Sequence, residues 1–168
     1  MLNWYAVQTK PRREDVAEQN LKRQGYDTYL PELRLRRFRR GKWENAVEPL
    51  FPRYLFIRAD SAQQSLSPVG STPGVATLVR FGHLLRPVPD SIIDNLRQLE
   101  DPDTHQHNAD AWSHQRGAEV RVLAGSFSGL TGIFHAAIGE ERALLLIELL
   151  GRQNKVTIPM DAIGEGRV

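Results

Sequence analysis

The chain has 168 residues, 40% of them apolar and 25% charged, with a formal net charge of +2. This is ordinary globular composition with room for one domain or two small ones, and it excludes a wholly disordered chain or a fibrous repeat. The lack of cysteine removes disulfide scaffolds, thiol nucleophiles and thiolate metal sites, while the lack of a long apolar run or secretory signal gives the expectation of a cytoplasmic protein with no membrane partner.

Trp4-Tyr5-Ala6-Val7-Gln8-Thr9 is dense in strand formers and stops at Lys10-Pro11, so it predicts a first strand. A helix follows: Glu14 and Asp15 fit its first turn, Val16, Ala17 and Leu21 give it one apolar face, and Gly25 suits a left-handed C-terminal cap. Tyr26 to Leu33 predicts a second strand, and the arginine run ending in Arg40-Gly41-Lys42 a projecting basic hairpin. Val47 to Arg58 reads as strand again, and Val75 to Phe81 as a fourth strand after a Pro73-Gly74 turn. Asp90 or Ser91 then caps a helix whose Ile92, Ile93, Leu96 and Leu99 share a face. The order β-α-β-β-β-α predicts an α+β unit, a mainly antiparallel sheet flanked by helices and close to the split βαβ class.

Residues 101–116 are polar and show no apolar period, which predicts a linker between a first domain over 1–100 and a second over 117–168. His105, His107 and His114 fall in this stretch beside Asp101, Asp103 and Asp110, but with no framing helix or strand they give no metal site. In the second domain, Arg116 to Leu123 alternates like a strand, the glycines of 125–132 suit a tight turn, and Ile133-Phe134 resumes a strand. With Lys155 to Pro159 these would complete a barrel of about five strands. Arg142 to Leu150 disagrees, because it is built from strong helix formers with a single β-branched residue. Such a conflict between levels leaves two outcomes open, a tertiary override or a second state.

Charge is uneven. Residues 1–100 hold 16 Lys and Arg against 11 Asp and Glu, whereas 101–168 hold 6 against 9, and half of all the basic residues lie in the first 42. That is the footprint of a polyanion-binding half, or else a solvated face with a basic hairpin. No phosphate-binding glycine loop, nucleophile elbow or helical histidine pair is present, so no enzyme and no cofactor is expected. In a strand Tyr54 and Phe56 project to one face and Leu55 and Ile57 to the other. With both faces apolar, and with Phe81 nearby, one aromatic patch is left for a partner, a protein or stacked bases, unless the domain covers both faces itself.

These residues resemble a known family. Trp4-Tyr5, Leu50-Phe51-Pro52-Arg53-Tyr54-Leu55-Phe56, Pro73-Gly74-Val75 leading into Val79-Arg80-Phe81-Gly82, and the glycine pattern from Gly117 to Gly132 together are similar to the NusG family of transcription elongation factors. The last of these resembles that family's C-terminal KOW motif. The basic hairpin tip and Glu48-Pro49-Leu50-Phe51-Pro52 are most similar to the family's specialised RfaH branch.

The resemblance implies an elongation and antitermination factor, monomeric, that grips the clamp helices of the RNA polymerase β′ subunit through Tyr54, Phe56 and Phe81 and suppresses pausing. It implies contact with non-template single-stranded DNA near the first helix, where Lys10, Arg23 and Thr72 match the branch and Arg12 and Arg13 add to it. Pro11, Val16, Asn20 and Pro73 depart from that pattern, and Ser65-Leu66-Ser67 stands where the branch carries its contact to the polymerase β gate loop. The C-terminal domain is implied to be either a small SH3-like β-barrel that binds ribosomal protein S10 or an α-helical hairpin. In the hairpin form Phe134, Leu145 and Leu149 pack on Phe51, Ile93 and Leu96, and Glu48 pairs with Arg142. The alternative is an RNA-binding or ribosome-assembly protein whose aromatic sheet face stacks bases.

Overall fold

The computed structural model describes residues 1–109 and 129–155. β1 (Asn3–Thr9), β2 (Asp27–Tyr29), β5 (Tyr54–Ala59) and β6 (Val75–Leu78) form an antiparallel sheet in the order β2-β5-β1-β6. Alternation along its two central strands sorts side chains onto opposite faces. Tyr5, Val7, Leu55 and Ile57 go to one side, where they bury Ala17 and Leu21 of α1 (Glu14–Arg23). Trp4, Ala6 and Phe56 go to the other, where they meet Ile92, Ile93 and Leu96 of α2 (Asp90–Gln98).

α1 follows its sequence signals: acidic residues in the first turn, Lys22 and Arg23 in the last, and Gly25 beyond it at φ +93°. Glu14 is a departure, because it turns inward and its carboxylate accepts the Arg53 backbone N–H at 2.8 Å. Gly74 at φ +89° runs so close to this helix that a Cβ there would lie 2.7 Å from the Ala17 nitrogen, so the turn into β6 tolerates only glycine.

Several predicted strands are shorter than expected. The strand expected over Tyr26 to Leu33 breaks at Leu30-Pro31, since proline has no N–H to donate, and resumes as β3 (Glu32–Arg39). β3 pairs with β4 (Lys42–Pro49) as the basic hairpin, with Arg39 opposite Lys42 across an Arg40-Gly41 turn. The strand expected from Val47 to Arg58 is likewise two, separated by the turn around Phe51 to Arg53, where Arg53 takes φ +73°. The fourth strand ends at Leu78 rather than Phe81, which lies in its own tight turn with Leu84 and Gly82.

The beginning of the polar stretch packs on the first unit instead of running free. β7 (His107–Asn108) pairs in parallel with Leu33 and Arg34 of β3, and His107 is fully buried. The remainder of that stretch, the strand expected over Arg116 to Leu123, the glycines up to Ser128 and the segment after Lys155 lie outside the described residues. Ile133-Phe134, expected as strand, is part of α3 (Gly129–His135), and the leucine run is part of α4 (Gly139–Lys155). In α4 local propensity prevails, helped by Glu140 and Glu141 at its positive end. No helix among the described residues is long and apolar enough to cross a membrane.

Burial lowers the pKa of His107 to about 4, from an ordinary value of 6.5. Unfolded chain therefore binds a proton that folded chain refuses between those values, and stability falls as pH drops through that window by up to about 1.4 kcal/mol per pH unit. The protection factors of the Leu33 and Arg34 amides, which correct for the slower intrinsic exchange at low pH, should fall below pH 6.5, and His107→Gln should remove that acid dependence. An unchanged pH profile in the variant would assign the sensitivity to other groups.

Candidate functional site

The residues flagged as a partner-binding patch come together on one side of the sheet, and α3 and α4 lie over them. Phe56 is fully buried, stacked on Tyr29 at 6.2 Å and edge-on to Phe51 at 6.4 Å. Tyr54 and Phe81 are partly buried against the same cluster, which also contains Leu130, Ile133, Phe134, Leu146, Leu149 and Leu150 of the two C-terminal helices. Phe51, Ile93 and Leu96 belong to it, and Leu145 packs at its margin. α4 passes directly over Phe81, whose ring lies 3.7 Å from the place a Cβ on Gly151 would take. At the other end a Cβ on Gly139 would lie 2.7 Å from Pro52 Cγ, so the start of α4 is seated on the turn before β5.

Arg142 fastens this cover. It is 1% exposed, and its guanidinium donates to Glu48 Oε2 at 2.6 Å, to the Leu50 carbonyl at 2.8 Å and to the Ala137 carbonyl at 3.3 Å. A buried cation needs all of its donors occupied, and the carbonyls of the Leu50 turn and of the α3–α4 connection supply what one carboxylate cannot. The resemblance pointed to the Glu48 and Arg142 pair; the carbonyl contacts carry no sequence signal, because any residue offers that oxygen. Glu48 is 30% exposed, which limits what the pair contributes.

The basic residues form a different surface. Lys10, Arg12 and Arg13 are exposed at the start of α1, where Lys10 N–H donates to Gly74 O at 2.9 Å, Arg13 N–H donates to Lys10 O and Arg12 takes φ +62°. Arg23 is exposed at the opposite end of α1, about 15 Å along the axis, and donates to Asn20 Oδ1. Thr72 does not join them as a free hydroxyl. It is 4% exposed, donates to Pro68 O at 2.9 Å and accepts from the Gln24 amide at 2.7 Å, so it braces the loop against α1. Ser65 and Ser67 are exposed, with Leu66 between them held against the core and Ser65 O accepting the Tyr26 hydroxyl at 2.7 Å. Among the described residues no group of three or more His, Asp and Glu is placed to hold a metal ion.

One face of the sheet is thus covered by α1, and the other, aromatic face by α2 together with the α3–α4 hairpin that Arg142 fastens. A family model described as transcription termination factor nusG matches residues 2–97, and the chain belongs to the NusG family. It is 28% identical to the transcription termination/antitermination protein NusG of Thermus thermophilus, over 96% of this chain and 97% of that one. The protein of the same name from Streptomyces virginiae is 22% identical over 95% of this chain and 62% of its own length. A solved structure described as domain interaction in Thermotoga maritima NusG aligns with 58% of this chain and 56% of its own, at 21% identity and a TM-score of 0.44. The chain is thus a member of a transcription-factor family.

Glu48→Ala leaves Arg142 with its carbonyl partners but without a counter-charge, and should weaken docking of α3 and α4 by about 1–3 kcal/mol, the partial exposure of Glu48 keeping this below the cost of breaking a fully buried pair. Hydrogen exchange in α4 should speed up while β1 and β5 keep their protection. Equal protection of α4 in variant and parent would mean that the apolar contacts alone hold the cover.

Proposed function

We propose that this protein is an RfaH-type elongation and antitermination factor whose polymerase-binding surface is held closed by its own C-terminal helices. The observation that carries the reading is the apolar seam between β5 and α4: the face bearing Tyr54, Phe56 and Phe81 is the one that α3 and α4 cover. In this reading residues 1–100 form the unit that binds the polymerase β′ clamp helices, 101–116 connect, and 117–168 form the switching domain. Aromatic anchors in a water-excluded centre dominate such interfaces, so polymerase and the helical cover compete for one surface. Apparent affinity is then reduced by the fraction of molecules that are closed.

Contact with non-template DNA through Lys10, Arg12, Arg13 and Arg23 would favour opening at particular sites, with Ser65-Leu66-Ser67 near the β gate loop. Bridging the two arms of the clamp would hold it shut and suppress pausing. Once released, the C-terminal domain would take the barrel form that its glycine pattern also encodes, and would bind ribosomal protein S10. The protein acts as a cytoplasmic monomer without a cofactor.

Full-length Glu48→Ala should bind core polymerase more tightly than the parent when no DNA signal is present, and its far-ultraviolet spectrum should lose helix and gain strand. Adding Tyr54→Ala to that variant should lower the gained affinity by roughly tenfold or more, on the order of 2 kcal/mol for an interface anchor. Tyr54 is the better probe than Phe56, whose place between Tyr29 and Phe51 makes truncation a core cavity costing about 3–5 kcal/mol. Equal polymerase affinity in parent, Glu48→Ala and the double variant would refute the reading. Lys10→Ala should also flatten the salt dependence of single-strand binding, by a slope of roughly 0.7 for one phosphate contact.

A further inference from the structure

The β3–β4 hairpin carries a surface that neither the covered aromatic patch nor the basic start of α1 explains. Its register sorts the side chains: Phe38 faces Trp43 and Arg36 faces Asn45 on one side, with Val47 next along that side, whereas Arg37 faces Glu44 on the other. From Arg36 to the tip the first side holds no carboxylate. Phe38 is 60% and Trp43 62% exposed, and Val47 is exposed as well. The two rings stand edge to face at 5.5 Å, and the Arg36 guanidinium lies over the indole at 5.8 Å.

A cross-strand aromatic pair steadies a hairpin, but that role does not need two large rings in water beside unpaired cations. Arg36, Arg40 and Lys42 have no carboxylate within ion-pair distance among the described residues. The tip is also conformationally odd. Arg40 takes φ +55° followed by Gly41 at +77°, a pair of left-handed residues for which asparagine is the favoured first member. The chain accepts that cost to put a cation at the outermost point of the ribbon.

We propose that this face of the hairpin is a second nucleic-acid-binding surface, selective for single strands, in which an unpaired base stacks on Trp43 and Phe38 while Arg36 beside the rings and Arg40 at the tip neutralise the flanking phosphates. A protein partner would need acidic groups set around an apolar contact, whereas a single strand supplies anions and flat rings in regular alternation, matching cations interleaved with aromatics. The surface stands apart from the β5 patch, so it is open whether or not α3 and α4 cover that patch, and it does not depend on the polymerase reading.

The test is titration of the full-length protein with a fluorescent 15-mer of thymidylate and with a 15-base-pair duplex. The double variant Phe38→Ala, Trp43→Ala should bind the single strand at least about fivefold more weakly with an unchanged salt slope, since stacking and not charge is removed. Arg36→Ala and Arg40→Ala should each flatten the slope by about 0.7. The indole N–H resonance of Trp43, assigned by its loss in Trp43→Phe, should shift on adding the oligonucleotide, and should still shift in a Lys10→Ala, Arg12→Ala, Arg13→Ala background. Unchanged affinity in the aromatic double variant, a Trp43 signal that does not move, or tighter binding of the duplex would each overturn the proposal.

Discussion

The structure turns on a sheet that is apolar on both faces. Strand alternation sends Leu55 and Ile57 one way and Tyr54 and Phe56 the other, so each side of β5 must be covered or left facing water. α1 covers the first side within the N-terminal half of the chain. α2 is nine residues long and brings Ile92, Ile93 and Leu96 to the second side, and α3 and α4 extend that cover over Phe51, Tyr54 and Phe81. Each large apolar side chain buried there contributes about 1.5–3 kcal/mol, so the helical cover has a driving force that depends on hydrophobic area and on little else.

Area alone does not fix where the cover sits, and Arg142 supplies the register. A guanidinium left only 1% exposed can be satisfied only where Glu48 and the Leu50 carbonyl converge, which pins the first turn of α4 to the turn before β5. Gly139 then lets the start of the helix sit against Pro52, where a Cβ would lie 2.7 Å from Pro52 Cγ. In the proposed switch, a charged latch on an apolar seam would suit a contact that opens, because breaking a single pair would loosen the register of the whole cover.

Local signals in the sequence reached the elements that depend on local physics. α1, α2 and the hairpin were legible because period, caps and the Arg40-Gly41 turn act within a few residues. The break at Pro31 had a visible cause that strand propensity on both sides obscured. Ile133-Phe134 were misplaced since two residues carry no period, and their helical state comes from packing against a sheet 80 residues earlier. His107 was lost in a polar stretch because its burial comes from pairing with a strand over 70 positions away. At the site, the split of β5 into two faces was readable from alternation alone, whereas the approach of Arg142 to Glu48 came only with the family resemblance. The bracing role of Thr72 was not legible, because a hydroxyl in a loop offers no sign of whether it points to solvent or, as here, to Pro68 and Gln24.

The central claim is that one apolar face serves both the helical cover and the polymerase. The chain has no cysteine, so a single engineered pair gives a clean lock. Pro52→Cys with Gly139→Cys puts two cysteines at the contact where a Cβ on residue 139 would lie 2.7 Å from Pro52 Cγ, a ring atom that the first substitution removes to leave room for the bridge. Polymerase binding by this variant, measured oxidised and then reduced, decides the matter. The account predicts no binding while the bridge is closed and recovery when it is reduced. Equal binding in both states would contradict it, because polymerase would then be using a surface that α3 and α4 do not cover.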